Sequence, residues 1–146
     1  MPRLGARLAT LLLLAATASS CGNSPTDVEF DDSLDIDLAA MTKTGSGLYY
    51  LDLLPGDGTA AKAGDHVDVT YSGWLTSGQG FGSGAFDFVL GTSQAIQGFD
   101  EGVTGMKPGG KRKLVIPPEL AYGNRGQGSI PPNATLVFEV QLVGVR

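Results

Sequence analysis

Apolar and polar side chains alternate along much of the chain from about residue 49 onward. Val67, Val69, Tyr71, Gly73 and Leu75 share one face of a period-two segment, and His66, Asp68, Thr70, Ser72 and Trp74 share the other. Ala134, Leu136, Phe138, Val140 and Leu142 form a second such face. Leu114 and Ile116 do the same in a shorter strand starting near Lys111, and Tyr49, Leu51 and Leu53 form a further candidate. Phe86 to Leu90 is another short run. Turn signals separate these segments: Pro55-Gly56-Asp57-Gly58, Ser77-Gly78-Gln79-Gly80, Pro108-Gly109-Gly110 and Pro131-Pro132-Asn133. In one place the period changes. Ile96, Phe99 and Val103 are spaced i, i+3 and i+7, which is one face of a helix. Asp100 and Glu101 suit its positive N-terminal end, but Gly98 and Gly102 each cost up to about 1 kcal/mol against Ala, so packing must hold it. The pattern predicts an α+β fold: an antiparallel β-sheet with one short α-helix across a concave face.

The first 43 residues follow a different pattern. Arg3 and Arg7 precede an eleven-residue apolar run, Leu8 to Ala18, shorter than the ~20 residues a membrane-spanning helix needs. Small residues follow (Ala18, Ser19, Ser20), and Cys21 stands where cleavage of a secretory signal would fall. Cys21 is the only cysteine, so an intramolecular disulfide is excluded. The segment resembles a bacterial lipoprotein signal, in which the cysteine is lipidated and becomes the first mature residue; ordinary signal cleavage and an incidental cysteine are the alternatives. The resemblance implies an exported cell-envelope lipoprotein, on the periplasmic side or the cell surface, held at the membrane through Cys21. Residues 22–43 then carry Asp27, Glu29, Asp31, Asp32, Asp35 and Asp37 with no base before Lys43. Mutual repulsion predicts a solvated tether, in which Leu34, Ile36 and Leu38 alternate as a candidate edge strand. A calcium site at Asp31, Asp32, Asp35 and Asp37 would lack the loop glycine and final Glu of an EF-hand. The expected organisation is a signal peptide over 1–20, a lipidated cysteine and acidic tether over 21–43, and a folded domain over 44–146.

A chain of 146 residues leaves room for one such domain. Its 22 glycines are roughly twice average usage and follow no Gly-X-Y period, as in a β-rich fold with many tight turns. The formal charge of −5 becomes −7 if Arg3 and Arg7 leave with the signal, with 8 bases then facing 15 acids. This excludes phosphate-backbone binding, and no nucleic-acid partner is expected. Catalytic groups are scarce. The single histidine, His66, opens a strand on its polar face and reads as a surface residue. No Cys/His cluster has metal-ligand spacing, and there is no Gly-x-Ser-x-Gly elbow. Gly105 to Lys111 has the spacing of a phosphate-binding loop, but Arg112 stands where Ser or Thr must hold magnesium. A helix precedes that segment and a strand follows, the reverse of a phosphate loop, so it reads as a turn into a strand. No metal or cofactor is expected. Any catalysis must break no covalent bond.

Aromatic and aliphatic residues cluster near strand ends and around the helix, and they fall in ordered blocks. Val69-Thr70-Tyr71-Ser72-Gly73-Trp74-Leu75 resembles the first signature of FKBP-type peptidyl-prolyl cis-trans isomerases. The similarity continues through Phe86–Gly91, Ala95–Gly102, Gly109–Pro117, Ala121-Tyr122-Gly123 and Ile130–Val140, and covers essentially all of 45–146. The resemblance implies a curved antiparallel β-sheet, a half-barrel, wrapped around one short α-helix, and an isomerase that accelerates X-Pro rotation in exported proteins. It also implies proline-containing polypeptides and macrolide inhibitors as partners, and a monomeric domain. By motif position, Tyr71, Phe81, Phe86, Ile96, Phe99, Tyr122 and Phe138 are implied as the catalytic pocket, with Ala95 and Ile130 as further substrate contacts. Phe99 would be the floor, and the Ile96 N–H and Tyr122 hydroxyl would hold substrate carbonyls. Ala95 stands where a bulkier aliphatic is usual. The family usually has Phe-Asp-Ser-Ser with an arginine a few residues on. Here the run is Phe81-Gly82-Ser83-Gly84-Ala85-Phe86, shorter, with Gly82 replacing the aspartate and no arginine. The glycines predict a flexible pocket rim. Gly82 favours a rival reading, a non-catalytic peptide-binding or chaperone module on the same fold; a purely structural envelope lipoprotein is the third.

Overall fold

Strands β1 (Thr42–Lys43), β2 (Tyr49–Leu54), β3 (His66–Leu75), β4 (Gly80–Val89), β5 (Lys111–Ile116) and β6 (Leu136–Val145) form one antiparallel sheet in the computed structural model. Their order is β1-β2-β5-β6-β3-β4. Helix α1 (Gln97–Val103) joins β4 to β5. The structure describes residues 28–146; the signal peptide, Cys21 and Asp27 lie outside them. Register shifts at Asp52/Leu54, Gly73/Trp74 and Asp68/Val69 bend the sheet. The expected curved sheet with one short helix is the architecture observed.

Alternation sorts the side chains into two cores. Val67, Val69, Leu114, Ile116, Leu136, Phe138, Val140 and Leu142 meet Phe99 and Val103 of the helix on the concave face. Tyr49, Val115 and Val137 form a smaller core on the other face. Packing holds α1, as its glycines require. A Cβ on Gly102 would stand 2.5 Å from Leu114 Cδ1, so the helix backbone rests directly on β5. Buried Arg112 closes the helix end. Its Nη1 donates to the carbonyls of Gly102 (2.9 Å) and Thr104 (3.3 Å), and its Nε donates to Asp52 Oδ1 at 2.7 Å. The guanidinium lies 4.6 Å from the Tyr50 ring centroid. Carbonyls that a helix leaves unpaired at its C-terminus are thereby satisfied. The stretch before β5 is the turn into a strand that its flanks predicted, closed by a Gly110 N–H to Lys107 carbonyl bond of 2.9 Å.

Two expectations fail. The first concerns residues 80–85, where the alternation predicts no strand ahead of Phe86. They are the first half of β4, with Gly82 opposite Gly73, Ser83 opposite Ser72, Gly84 opposite Tyr71 and Ala85 opposite Thr70. Glycine and serine have little strand propensity of their own. Pairing with the ten-residue β3 overrides it.

The second concerns the tether. Over the described part, 28–43, there is neither a solvated tether nor an edge strand at Leu34, Ile36 and Leu38. Two 3-10 turns, Asp32–Leu34 and Leu38–Ala40, lead into β1. Asp31 caps the first by accepting from the Ser33 N–H (2.9 Å), and Asp37 caps the second by accepting from the Ala39 N–H (3.1 Å). Leu34, 6% exposed, and Met41 are buried against Tyr49, Val115 and Val137, with Phe30, Ile36 and Leu38 around them. Lys113 Nζ pins the strap by donating to the carbonyls of Leu34 (2.8 Å) and Asp35 (3.4 Å). The acids do not drive the strap off, because Asp32, Asp35 and Asp37 lie at its exposed or half-exposed positions while the apolar residues between them turn inward. The folded body therefore starts ahead of Thr44. On the full chain, Leu34→Ala is expected to lower the unfolding free energy in urea by about 2–3 kcal/mol. A solvated tether would give no change.

Candidate functional site

Phe138 of β6 is the centre of an aromatic cluster on the concave face. Its ring centroid lies 5.4 Å from both Phe99 and Phe81 and 6.2 Å from Tyr71, at interplanar angles of 78°, 84° and 61°. Tyr71 meets Phe99 edge-on at 6.1 Å and 85°. These are the edge-to-face arrangements that aromatic quadrupoles favour. Gly73 makes them fit. It sits opposite Phe138 in the β3–β6 register, and a Cβ there would stand 2.5 Å from Phe81 and 2.9 Å from Phe138. Only a residue without a side chain lets both rings lie on β3.

The cluster walls a cavity of about 680 Å³. All nine residues implied by motif position line it: Tyr71, Phe81, Phe86, Ala95, Ile96, Phe99, Tyr122, Ile130 and Phe138. Phe99, 4% exposed and carried by α1, is buried beneath it. Phe86, 37% exposed, belongs to the rim, where it stacks on Phe88 at 5.0 Å and 17°. Ile96 precedes α1 in extended conformation (φ −59°, ψ 149°), and its carbonyl accepts from the Phe99 and Asp100 N–H groups at 3.0 Å. Tyr122 follows the 3-10 turn Pro118–Leu120 and is fixed by two 2.8 Å bonds through its neighbour, Gly123 N–H to the Pro118 carbonyl and Asn133 N–H to the Gly123 carbonyl. Neither the Ile96 N–H nor the Tyr122 hydroxyl bonds a protein partner among the described residues. Both residues line the cavity.

Sequence reasoning missed the polar part of the lining: Ser93, Gln94, Gln127, Gly128 and Ser129. Loop closure places them and no periodicity announces them. Gln94 is held where its Oε1 accepts the Val89 N–H at 2.9 Å. Gln127 and Ile130 exchange backbone bonds of 2.9 and 2.8 Å, which shapes the second loop. At Gly82, the position of the family's aspartate, a Cβ would meet nothing within 4 Å. The rim is open space there.

Among the described residues, no acid or base lines the cavity. His66 lies elsewhere, as a half-exposed residue at the start of β3, with Nε2 3.1 Å from Asp87 Oδ2. Its neighbour Asp68 accepts from Arg146 Nη2 at 2.8 Å, and that hydrogen bond holds the Asp68 carboxyl below its ordinary range. The cavity therefore offers shape, aromatic faces and uncharged hydrogen-bonding groups, among them the Ile96 N–H and Tyr122 hydroxyl, with no charged side chain.

Residues 57–143 match the family model described as FKBP-type peptidyl-prolyl cis-trans isomerase, and the chain belongs to that family. It is 49% identical over 105 residues to the FK506-binding protein of Neisseria meningitidis serogroup B, covering 68% of this chain and 96% of that one. It is 52% identical over 102 residues to FK506-binding protein 4 of Dictyostelium discoideum, covering 67% of this chain and 28% of the relative. The crystal structure of FkpA from Escherichia coli aligns with a TM-score of 0.68 at 43% identity, over 73% of this chain and 52% of that one. The chain thus spans under a third of the length of the Dictyostelium relative.

Gly73→Ala is expected to push the Phe81 and Phe138 rings apart and to cost about 1–3 kcal/mol in thermal or urea unfolding, as overpacking does. An unchanged midpoint would show that the rings do not depend on Gly73.

Proposed function

We propose that this protein is a peptidyl-prolyl cis-trans isomerase that seats an X-Pro segment of a polypeptide against Phe99 and speeds rotation about the imide bond. The observation that carries the reading is the aromatic cavity, free of charged side chains, with the Ile96 N–H and Tyr122 hydroxyl unpaired at its wall. Rotation about an amide is opposed by resonance, with a barrier of ~18–20 kcal/mol. Twisting removes the resonance, and with it part of the carbonyl dipole that water stabilises. A dry aromatic wall accepts the twisted form more readily than the planar one, so binding energy goes to the transition state. The two donors hold the flanking carbonyls while the bond turns. Nothing is transferred, so the lack of nucleophile and general base is consistent with the reaction. Clients would be proline-containing polypeptides, and the same cavity suits macrolides that carry a proline-like ring.

One observation favours a second reading, a peptide-holding module that has lost the rate. The rim is empty at Gly82, where the family usually has an aspartate. A protease-coupled isomerisation assay on the full chain, with a series of residues before proline, separates the two. Acceleration above buffer is expected. Rates equal to buffer across the series would leave only the holding module. Tyr122→Phe should lower kcat/KM by about three- to tenfold, the worth of one hydrogen bond. Phe99→Ala should lower it further with the circular dichroism spectrum retained. Full activity in both would mean the pocket is misassigned.

The proposal extends to location. The charged start, apolar run and small residues before Cys21 support an exported protein, lipidated at Cys21 and held at the cell envelope. Cys21→Ser is expected to move the protein from the membrane fraction to the soluble fraction. Continued membrane association would rule the lipid anchor out.

A further inference from the structure

We infer that the outer edge of β4 is a second peptide-binding surface, which takes an extended segment of the substrate polypeptide beside the proline as an added strand. The inference rests on the isomerase reading and names how that site engages long clients. β4 is the last strand of the sheet and, among the described residues, pairs only with β3. The phase of the ladder tells which of its backbone groups look outward. His66 exchanges bonds of 2.7 and 3.0 Å with Arg146 on the β6 side. The alternate residues of β3, Val67, Val69, Tyr71 and Gly73, therefore turn to β4, where they face Phe88, Phe86, Gly84 and Gly82. The N–H and C=O of Ser83, Ala85 and Asp87 point away from the sheet. Val89 belongs to the same outward row, and there the chain closes the edge itself. The Gln94 side chain accepts the Val89 N–H at 2.9 Å, and the Thr92 hydroxyl donates to its carbonyl at 2.7 Å. Among the described residues, nothing does the same for Ser83, Ala85 and Asp87.

Proteins usually blunt such an edge with lysine, proline, a bulge or a very short strand. From Gly82 to Phe86 this edge has no charge, no proline and no register shift, and the one acid beyond it, Asp87, lies 3.1 Å from His66 Nε2. It is also continuous with the cavity. Phe81, Gly82 and Phe86 line the cavity, and the backbone between them is the edge. A Cβ on Gly82 or Gly84 would meet nothing within 4 Å, so no side chain stands between the two surfaces. The fitting occupant is an unfolded, uncharged stretch of the client next to its proline. Main-chain bonds would hold it whatever its sequence.

The test compares a proline tetrapeptide, which fills only the cavity, with a reduced and carboxymethylated proline-containing protein, which stays unfolded. Ala85→Pro removes one outward N–H and leaves the bonds of Gly84 and Phe86 to β3 in place. Ala85→Lys charges the edge instead and guards against a folding defect in the proline variant. In both, kcat/KM for the tetrapeptide should stay at the wild-type value, while KM for the long chain should rise by about three- to tenfold. Hydrogen exchange on the wild type gives an independent reading: the Ser83, Ala85 and Asp87 amides should exchange fast alone and slow when the unfolded chain is added. Unchanged long-chain KM in both folded variants would overturn the inference. So would protection of these amides that grows with protein concentration, which would assign the edge to a second copy of the chain. If the wild type leaves the tetrapeptide rate at the buffer value, the isomerase reading falls on its own, and amide protection by the unfolded chain still decides the edge.

Discussion

The six residues of β5 hold both halves of the molecule in place. Side chains alternate along a strand, so Arg112, Leu114 and Ile116 face the helix while Lys113 and Val115 face the strap. Each set contains one cation and at least one fully buried aliphatic. Leu114 and Ile116 receive the helix backbone at its two glycines, and Arg112 ties off its last carbonyls. On the other side Val115 packs under Leu34, and Lys113 binds the strap's carbonyls. The two cations are nearly buried, at 9% and 7% exposed, yet each is met by carbonyl oxygens. Burying a charge without such partners would be strongly unfavourable. The sheet thus places helix and strap by one mechanism used twice.

The chemistry follows from that placement. With α1 seated on β5, Phe99 reaches the ring cluster, and Ile96 stands at the helix start in the cavity wall. Gly73 then lets Phe81 and Phe138 complete the cluster. A fold that packs rings from separate strands around one helix yields an aromatic cavity without further machinery. Bond rotation needs little more, because the reaction involves no charge transfer for a polar group to stabilise.

The sequence made the regular parts of this structure plain, for a physical reason. β3, β5 and β6 each bury at least one face, so apolar residues recur at every second position along it, and Phe99 and Val103 mark the buried side of α1. The nine cavity residues were readable only through motif resemblance, since ring clusters on separate strands leave no local period. Three features stayed hidden. The first half of β4 is glycine and serine, and its conformation is decided by the partner strand. In the strap, charge repulsion looked decisive, yet Leu34, Met41 and their neighbours outweigh it by burial, while Asp31 and Asp37 serve as turn caps. The polar lining from Ser93 to Gln94 and from Gln127 to Ser129 is set by loop closure, which propensity does not encode.

Docking of the strap also sets how far the domain can travel. From Cys21 to Thr44 a fully extended chain would span about 80 Å, but from Cys21 to Asp31, whose N–H donates to the Thr76 carbonyl at 2.8 Å, it spans about 35 Å at most. Under the proposed lipid anchor, the face that carries the cavity would sweep a thin layer next to the bilayer instead of a hemisphere several domain diameters across. A polypeptide emerging at that surface would meet the cavity at high local concentration, while one already diffused away would rarely meet it.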